Sequence, residues 1–222
     1  LNTGDPNGAD WVPAETDVSL RPGWFWHPDE DPKSVEELVD IYFHSVGRNS
    51  HLLLNVPPDR RGLFSEEDVK RLHEWRKALD DIFDENLARG VEASADSVRG
   101  KGYGPGNVLD GNQKTYWAPA RDRHTGTITV NLDAPREFNV ACLREPIRLG
   151  QRVTSYRLEV EHGNGWRTAA EGQTIGNKWL LRLDTVKAGR IRLVVEGTRQ
   201  DSCPLISEIS LYYDPQDYAQ ND

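Results

Sequence analysis

The spacing of apolar residues changes once along the chain, near residue 86. Before this point, apolar residues recur every three or four positions in two segments, one after Ser34 and one after Ser65. Glu37 lies three residues after Ser34, which is the sequence signature of a helix capping box. Residues 51–56 between the two segments are almost continuously apolar, as in a parallel strand buried on both faces. The spacing therefore predicts helix, strand and helix, the alternation of a parallel α/β fold.

After residue 86, alternating apolar and polar positions replace the helical spacing. Glycine, proline, asparagine or aspartate separates the alternating runs at intervals of roughly 10–20 residues, as expected for strands joined by turns. The runs cover residues 126–132, 138–143, 155–161, 178–183, 190–195 and 206–213. Many short strands separated in this way by turn residues are typical of an antiparallel β-sandwich. The predicted fold class is therefore α/β followed by all-β.

The two parts differ in how complete they are expected to be. One helix–strand–helix repeat is too small to close a sheet, so residues 1–86 are interpreted as the C-terminal end of a (β/α) barrel whose earlier repeats lie upstream of Leu1. Residues 87–214 are long enough for a β-sandwich of their own. The polar tail, 215–222, is expected to fray.

Composition narrows the classes of partner. The chain has a net charge of −9 and a pI near 5.2, which argues against a nucleic-acid backbone as the partner. No apolar run approaches the roughly 18–20 residues of a membrane span, and no signal-peptide pattern is visible. Cys142 and Cys203 both lie in apolar surroundings, which favours two buried thiols, although a disulfide between them stays open.

Three aromatic or imidazole side chains follow an Arg-Pro-Gly turn and make the first candidate site. Trp24, Trp26 and His27 combine apolar ring faces with a hydrogen-bonding group, which is the combination that a sugar ring requires. Strand-like alternation would point Trp24 and Trp26 one way and Phe25 the other. The alternative is structural: one Trp would plug the end of the barrel and His27 would cap a loop.

Carboxylates in the same region make a second candidate. Glycoside hydrolysis requires two carboxyl groups on either side of the scissile bond. Glu15 follows Trp-Val-Pro-Ala at a predicted strand edge and is either catalytic or a partner for a neighbouring His or Arg. Asp29 and Asp31 are interpreted as part of a solvated loop. Asn55 ends the apolar strand, where it either lines a barrel mouth or caps the strand.

A third candidate lies in the predicted sandwich. Asp110 and Gly111 predict a tight turn, and Thr115 follows shortly after it. Together with Glu208 on the last predicted strand, these residues supply the mixed oxygen ligands that calcium prefers. The alternative is an Asx-turn in which Trp117 belongs to the core.

These residues also carry a resemblance to a known family. WVPAETDVSLRPGWFWHPDED and SVGRNSHLLLNVPPDRRGLFSEED, within residues 11–68, resemble the C-terminal end of the catalytic barrel of α-L-fucosidases, glycoside hydrolase family 29. The resemblance is to the branch that prefers α-1,3/1,4-linked fucose. SVRGKGYGPGNVLDGNQKTYWAP, FNVACLREPIRLGQRVTSY and PLISEISLYYDP resemble the discoidin-like (coagulation factor 5/8 type C) β-sandwich that such enzymes carry.

The resemblance implies a retaining, two-step hydrolysis with an Asp nucleophile and a Glu acid/base. The family places them in Trp-Phe-Asp-Gly-like and Gly-Asn-Glu-like segments, which are absent here and expected upstream of Leu1. The resemblance gives Glu15 a supporting role. It places Trp24 or Trp26 against the C5-methyl face of fucose and His27 near the leaving-group sugar.

Four further expectations come from the same resemblance. No cofactor is required for catalysis. Asp110, Thr115 and Glu208 match positions that bind a structural calcium ion in related carbohydrate-binding modules. Fucosylated oligosaccharides and the remainder of the barrel are the expected partners, with no nucleic acid and no membrane. The expected location is periplasmic or secreted.

Two other functions remain open at the level of sequence: a non-catalytic glycan-binding protein, and an adhesion module of discoidin type. The long barrel-like match in residues 11–62 favours the enzyme, because a binding module has no use for it.

Overall fold

The structure, a computed structural model, describes residues 8, 10–199 and 202–218. The first residues of the chain, 1–7 and 9, and the end of the predicted tail, 219–222, lie outside the described residues. Within the described part, two helices and eight strands follow one another, with short 3₁₀ turns at Pro105–Val108 and Ile147–Leu149. In chain order they are β1 (Ala14–Ser19), α1 (Val35–His44), β2 (Ser50–Asn55), α2 (Glu66–Phe83), β3 (Glu92–Ala95), β4 (Gly126–Arg144), β5 (Val153–His162), β6 (Gly165–Gly172), β7 (Trp179–Thr198) and β8 (Glu208–Tyr212).

The first part is a β-α-β-α segment, and both predicted helices are confirmed. The hydroxyl of Ser34 accepts the N–H of Glu37 at 3.1 Å, and the Glu37 carboxylate accepts the N–H of Ser34 at 2.7 Å. This is the predicted capping box. At the start of α2, Ser65 accepts the N–H of Asp68 at 3.2 Å. Among the described residues, no helix is long and apolar enough to cross a membrane.

Strands β1 and β2 pair in parallel and have one open face. The register pairs Glu15 with His51 and Asp17 with Leu53. All four of these residues are exposed, and Leu53 is 48% accessible, while the alternate positions of β2 are partly buried. In the described part of the chain this strand is therefore covered on one face, and its predicted burial on both faces stays a prediction.

The second part is a six-stranded sheet in which each described pair is antiparallel, so the all-β part predicted after residue 86 is confirmed. Its order is β3-β4-β7-β5-β6, and β8 pairs with β4. Strand β4 is 19 residues long, so its first half pairs with β3 and its second half with β8. The sheet surrounds an apolar core whose largest fully buried side chains are Trp117, Tyr156 and Phe138.

The helices pack on the outside of this sheet. Val140 and Cys142 of β4 and Leu180 of β7 form a cluster with Val39 and Phe43 of α1 and with α2. The alternate positions of β4 point the other way, into the sandwich core. This half of β4 is consequently buried on both faces.

Both cysteines are buried free thiols, as the preferred interpretation held. Cys142 lies among the apolar side chains beneath the helices, and Cys203 lies in a separate cluster with Ala118 and Leu205. Burial raises the pKa of the Cys142 thiol to about 12. The disulfide that the sequence left open is therefore absent from this structure.

Candidate carbohydrate-binding site

The loop between β1 and α1 carries the aromatic candidates. Trp24 is 52% exposed and Phe25 is 77% exposed, and His27 is also exposed. Trp26 is only partly exposed, and its indole nitrogen is buried. The predicted alternation of the aromatic side chains is therefore wrong, because Trp24 and Phe25 lie in a bend after β1 rather than in an extended strand. Trp24, Phe25 and His27 are the exposed residues of this segment, and Trp26 is partly buried.

The ends of β1 and β2 fix the backbone at Trp24. The hydroxyl of Ser19 donates to the carbonyl of Gly23 at 2.7 Å. The side-chain amide of Asn55 donates to the Ser19 hydroxyl at 3.0 Å and to the carbonyl of Trp24 at 3.1 Å. Asn55 thus links the end of the second strand to the turn that presents the first exposed tryptophan.

A buried arginine, which no pattern in the sequence marked, holds the middle of the loop. Arg21 is 2% exposed, and its Nε lies 3.0 and 3.1 Å from the two carboxylate oxygens of Asp68. Its Nη2 donates to the Ser65 hydroxyl at 3.0 Å, and its Nη1 donates to the carbonyls of His27 and Glu30. No local signal marked this pair, since Asp68 lies 47 residues further along the chain.

A second loop, between β2 and α2, lies beside the first. Parallel strands end at the same edge of a sheet, so the loops that follow β1 and β2 are neighbours. Leu63 is 60% exposed and Phe64 is 54% exposed near the end of this loop. A cleft of about 370 Å³ separates Trp26 from the second loop and the first turn of α2, and it is lined by Trp26, Asp59, Arg60, Arg61, Ser65, Glu66 and Glu67.

The charges in this cleft are partly paired. The carboxylate of Asp59 accepts the backbone N–H of Arg61 at 2.7 Å and lies 2.7 Å from its guanidinium. The hydrogen bond from Arg61 lowers the pKa of Asp59, so the loop keeps this negative charge at neutral pH. Aromatic and charged groups therefore line the same cleft, which suits a ligand with both apolar and hydroxyl-bearing faces.

Glu15 lies on β1 itself rather than in the aromatic loop. It is exposed on the open face of the β1–β2 sheet, opposite His51. The structure thus places the carboxylate and the aromatic residues on one strand and the loop that follows it. Their roles toward a substrate stay predictions.

The calcium candidates lie in the sandwich, on two segments that meet. Trp117 and Ile206 exchange backbone hydrogen bonds of 2.8 and 3.1 Å in an antiparallel bridge. Thr115 and Glu208 each lie two residues from this bridge, on the same side of it. The Asp110 carboxylate accepts the Thr115 hydroxyl at 2.7 Å.

Protein groups already bind these carboxylates. Asp110 accepts the N–H of Asn112 at 2.7 Å, which is an Asx-turn, and Trp117 is fully buried as the alternative required. Glu208 lies 2.9 Å from Arg144 and accepts the Ser210 hydroxyl at 2.7 Å. A calcium ion would compete with Arg144 for Glu208, and the calcium site stays a prediction. In the described part of the chain, no three His, Cys, Asp or Glu side chains are grouped as metal ligands.

Comparison with known proteins identifies both parts. The family model for the F5/8 type C domain matches residues 91–209, and the model for alpha-L-fucosidase matches residues 2–80. The chain is 46% identical over 217 residues to Alpha-L-fucosidase 1 of Arabidopsis thaliana, covering 95% of this chain and 42% of the relative. The chain thus spans less than half the length of this curated relative.

Solved structures agree with the family matches. A Ruminococcus gnavus GH29 fucosidase in complex with fucose has a TM-score of 0.91 and 38% identity, covering 97% of this chain and 44% of that one. The protein SpGH29 has a TM-score of 0.89 and 42% identity, covering 96% of this chain and 46% of that one. The fold is thus an F5/8 type C sandwich preceded by a segment of a glycoside hydrolase. The chain belongs to the α-L-fucosidases of family GH29 that carry an F5/8 type C domain.

Proposed function

We propose that this chain is the C-terminal part of a retaining exo-α-L-fucosidase that hydrolyses terminal α-1,3/1,4-linked fucose from oligosaccharides. The observation that carries the proposal is the match along 95% of the chain to a relative named as an α-L-fucosidase. Because the chain covers 42% of that relative, there is room upstream for the nucleophile and the acid/base. A related GH29 structure holds fucose, which supports fucosylated glycans as the substrate class.

The open face of the β1–β2 sheet supports a barrel as the missing part. A two-stranded parallel sheet with an exposed Leu53 is rarely stable alone, since parallel sheets are normally covered on both faces. Further parallel strands upstream would cover this face and enclose Glu15. In that arrangement Glu15 supports the site from the inside of the barrel, and the loops after β1 and β2 lie at its C-terminal mouth, where barrel enzymes have their active sites.

The aromatic loop is the part of the proposed site that this chain supplies. Trp24 offers an exposed indole face on which the apolar C5-methyl side of fucose stacks. Trp26 lies partly buried behind it and supports the loop, and the exposed His27 imidazole donates to the leaving-group sugar. The chemistry at the anomeric carbon belongs to the upstream carboxylates, and no cofactor takes part.

A structural calcium ion bound by Asp110, Thr115 and Glu208 completes the proposal. An ion that binds only the folded state raises its stability. We therefore expect excess EDTA to lower the melting temperature of the full-length protein, and Asp110→Asn to remove this effect. Equal melting temperatures with calcium and with EDTA would contradict the calcium site and indicate that Asp110 only forms the Asx-turn.

The hydrolysis itself is tested on the full-length protein with two trisaccharides, one carrying α-1,3- or α-1,4-linked fucose on a branched core and one carrying α-1,2-linked fucose. We expect fucose release from the first and little from the second. Release from both trisaccharides would support the fucosidase activity but contradict the proposed linkage preference. Binding of either sugar without release would favour a non-catalytic glycan-binding protein. By family, we expect the enzyme in the periplasm or outside the cell.

A further inference from the structure

Arg21 connects three separate parts of the candidate site through one guanidinium group. It forms an ion pair with Asp68 on α2, donates to the N-cap residue Ser65, and donates to two carbonyls of the aromatic loop. Asp68 is fully buried and Arg21 nearly so. A planar group with five donors in a fixed arrangement can satisfy these acceptors together, whereas a lysine ammonium acts as a single point charge.

The end of the aromatic loop is held by Arg71 of α2, which donates to the carbonyls of Pro32 and Lys33, and by the N–H of Lys33, which donates to the carbonyl of Leu20 at 2.8 Å. Asn55 and Ser19 hold its beginning, near Trp24. Within the loop, the N–H of Glu30 donates to the carbonyl of His27 at 3.3 Å. Arg21 donates to both of these residues' carbonyls, and its guanidinium carbon lies 5.7 Å from the centre of the Trp26 ring. The position of His27 and Trp26 therefore depends on Arg21.

We propose that Arg21 is a positioning residue, which holds the aromatic loop in its sugar-binding conformation by tying it to the start of α2. The inference deepens the proposed function and rests on it for the ligand, a saccharide that stacks on Trp24. Arg21 lies beneath the loop and acts through Trp24, Trp26 and His27. A loop that is ordered only part of the time binds its ligand more weakly, in proportion to the fraction of time it is ordered.

The test compares Arg21→Lys with Arg192→Lys in the full-length protein. Arg192 is a matched control, because it forms an ion pair with the largely buried Glu159 within the sandwich. Hydrogen exchange is measured at the amides of residues 23–31 and, as an internal reference, in strands β5 and β7. Steady-state hydrolysis of the fucosylated trisaccharide gives KM and kcat separately.

In Arg21→Lys we expect exchange at residues 23–31 to accelerate about tenfold or more while β5 and β7 keep their protection. The KM for the trisaccharide should rise about tenfold, with kcat changed less than about threefold, because binding must now order the loop. Arg192→Lys should leave both quantities unchanged. Unaltered exchange at residues 23–31 in Arg21→Lys would overturn the proposal, and so would an equal acceleration in every strand.

Asp68→Asn is the second variant, in case Arg21→Lys does not fold. It keeps the shape of the side chain and one acceptor but removes the charge that orients the guanidinium. The same local acceleration of exchange is expected, and its absence contradicts the proposal. If the unaltered protein releases no fucose, the proposed function fails, while the exchange measurement still decides the role of Arg21.

Discussion

At the scale of single residues, the exposed tryptophan is the side chain that the proposed function uses most directly. Trp24 is 52% exposed although it belongs to a residue type that is mostly buried on average. Its backbone is fixed by Asn55, so the ring is presented by a defined turn. An exposed aromatic ring on a fixed backbone is what stacking on a sugar requires.

Trp24→Ala in the full-length protein should therefore lower kcat/KM for the fucosylated trisaccharide. Losing one stacked ring costs on the order of 1–3 kcal/mol of transition-state binding, which is about five- to 150-fold in rate. Trp166→Ala is the control, since Trp166 lies on β6 under Arg192 and far along the chain from the loop. Unchanged kcat/KM in Trp24→Ala would contradict the stacking role.

Glu145 is a buried carboxylate outside the candidate sites and outside the proposed function. It is 2% exposed, and its carboxylate accepts backbone N–H groups of Arg152, Val153 and Gly176 at 2.7, 3.0 and 2.8 Å. These bonds join the loop before β5 to the loop before β7. Burial outweighs the three hydrogen bonds and raises the pKa of Glu145 to about 7.

The raised pKa has a consequence for stability. The folded protein binds this proton more tightly than the unfolded chain, whose pKa is near the ordinary 4.5. The stabilising effect of the proton is fully present below about pH 4.5 and is lost as the pH rises through 7, by an amount on the order of 3 kcal/mol. Urea denaturation at pH values from 4.5 to 8 measures this slope.

Glu145→Gln should remove that slope, because the amide does not titrate. Glu161→Gln is the control: Arg190 lowers the pKa of Glu161, so its titration falls below this pH range. A Glu145→Gln variant that keeps the slope of the unaltered protein would show that another group is responsible.

At the scale of elements, the sequence predicted the helices better than the strands. The caps at Ser34 and Ser65 are local signals that lie next to the helices they start, and both helices begin where these caps predict. The runs predicted at 126–132 and 138–143 are one strand, β4, which continues through a register shift near Asp133 and Pro135. Asp133 and Pro135 are residue types that usually end a strand, so the sequence predicted a break there. Strand β7 pairs with β4 on both sides of this point, but it lies far away in sequence.

Strands β3 and β6 were not predicted, because neither carries a strong local signal. β3 is four residues long and β6 consists of small and polar residues around Trp166. Neither has strong alternation of its own, and each lies at an edge of the sheet, where pairing with one neighbour suffices. The aromatic loop could be proposed from its composition, but Arg21–Asp68 could not, because that contact exists only after α2 has packed.

The turn after α1 comes close to β7 at Gly47, where a side chain larger than that of glycine does not fit. The carbonyl of Gly47 accepts the N–H of Leu180 at 2.9 Å, which joins the turn after α1 to β7. A Cβ at Gly47 would clash with the Phe43 carbonyl oxygen and would lie 3.0 Å from the Leu180 side chain. The backbone of the turn would have to move away from the sheet to relieve these contacts.

Gly47→Ala should consequently destabilise the protein by about 1–3 kcal/mol, the usual cost of overpacking. Gly104→Ala is a suitable control, because a Cβ there meets nothing within 4 Å. Thermal or urea unfolding measures both variants. Equal stability of the two would mean that the turn relaxes without losing its contact with β7.

At the scale of the whole molecule, the β-α-β-α segment and the sandwich share a buried interface. Besides the apolar cluster, Arg182 of β7 lies 2.6 Å from Asp40 of α1, and Lys178 donates to the Tyr42 hydroxyl at 2.8 Å. Asn86, at the predicted domain boundary, accepts the N–H of Leu211 on β8 at 3.1 Å. The boundary near residue 86 stays a prediction, but the two sides of it are in contact over the outer face of β4, β7 and β8.

This interface predicts how a protein cut at the boundary behaves. A chain of residues 87–222 would expose Val140, Cys142 and Leu180, which are at most 2% accessible in the intact chain. An uncovered apolar patch of this kind favours self-association, so the cut protein should bind a hydrophobic dye and sediment as oligomers. Replacing Val140 with Thr and Leu180 with Gln in the same cut protein should reduce both effects, because those side chains point away from the sandwich core. A cut protein that is monomeric and binds no dye would show that the sandwich does not require the helices, and the F5/8 type C domain would then be an independent module rather than one fixed to the helical segment.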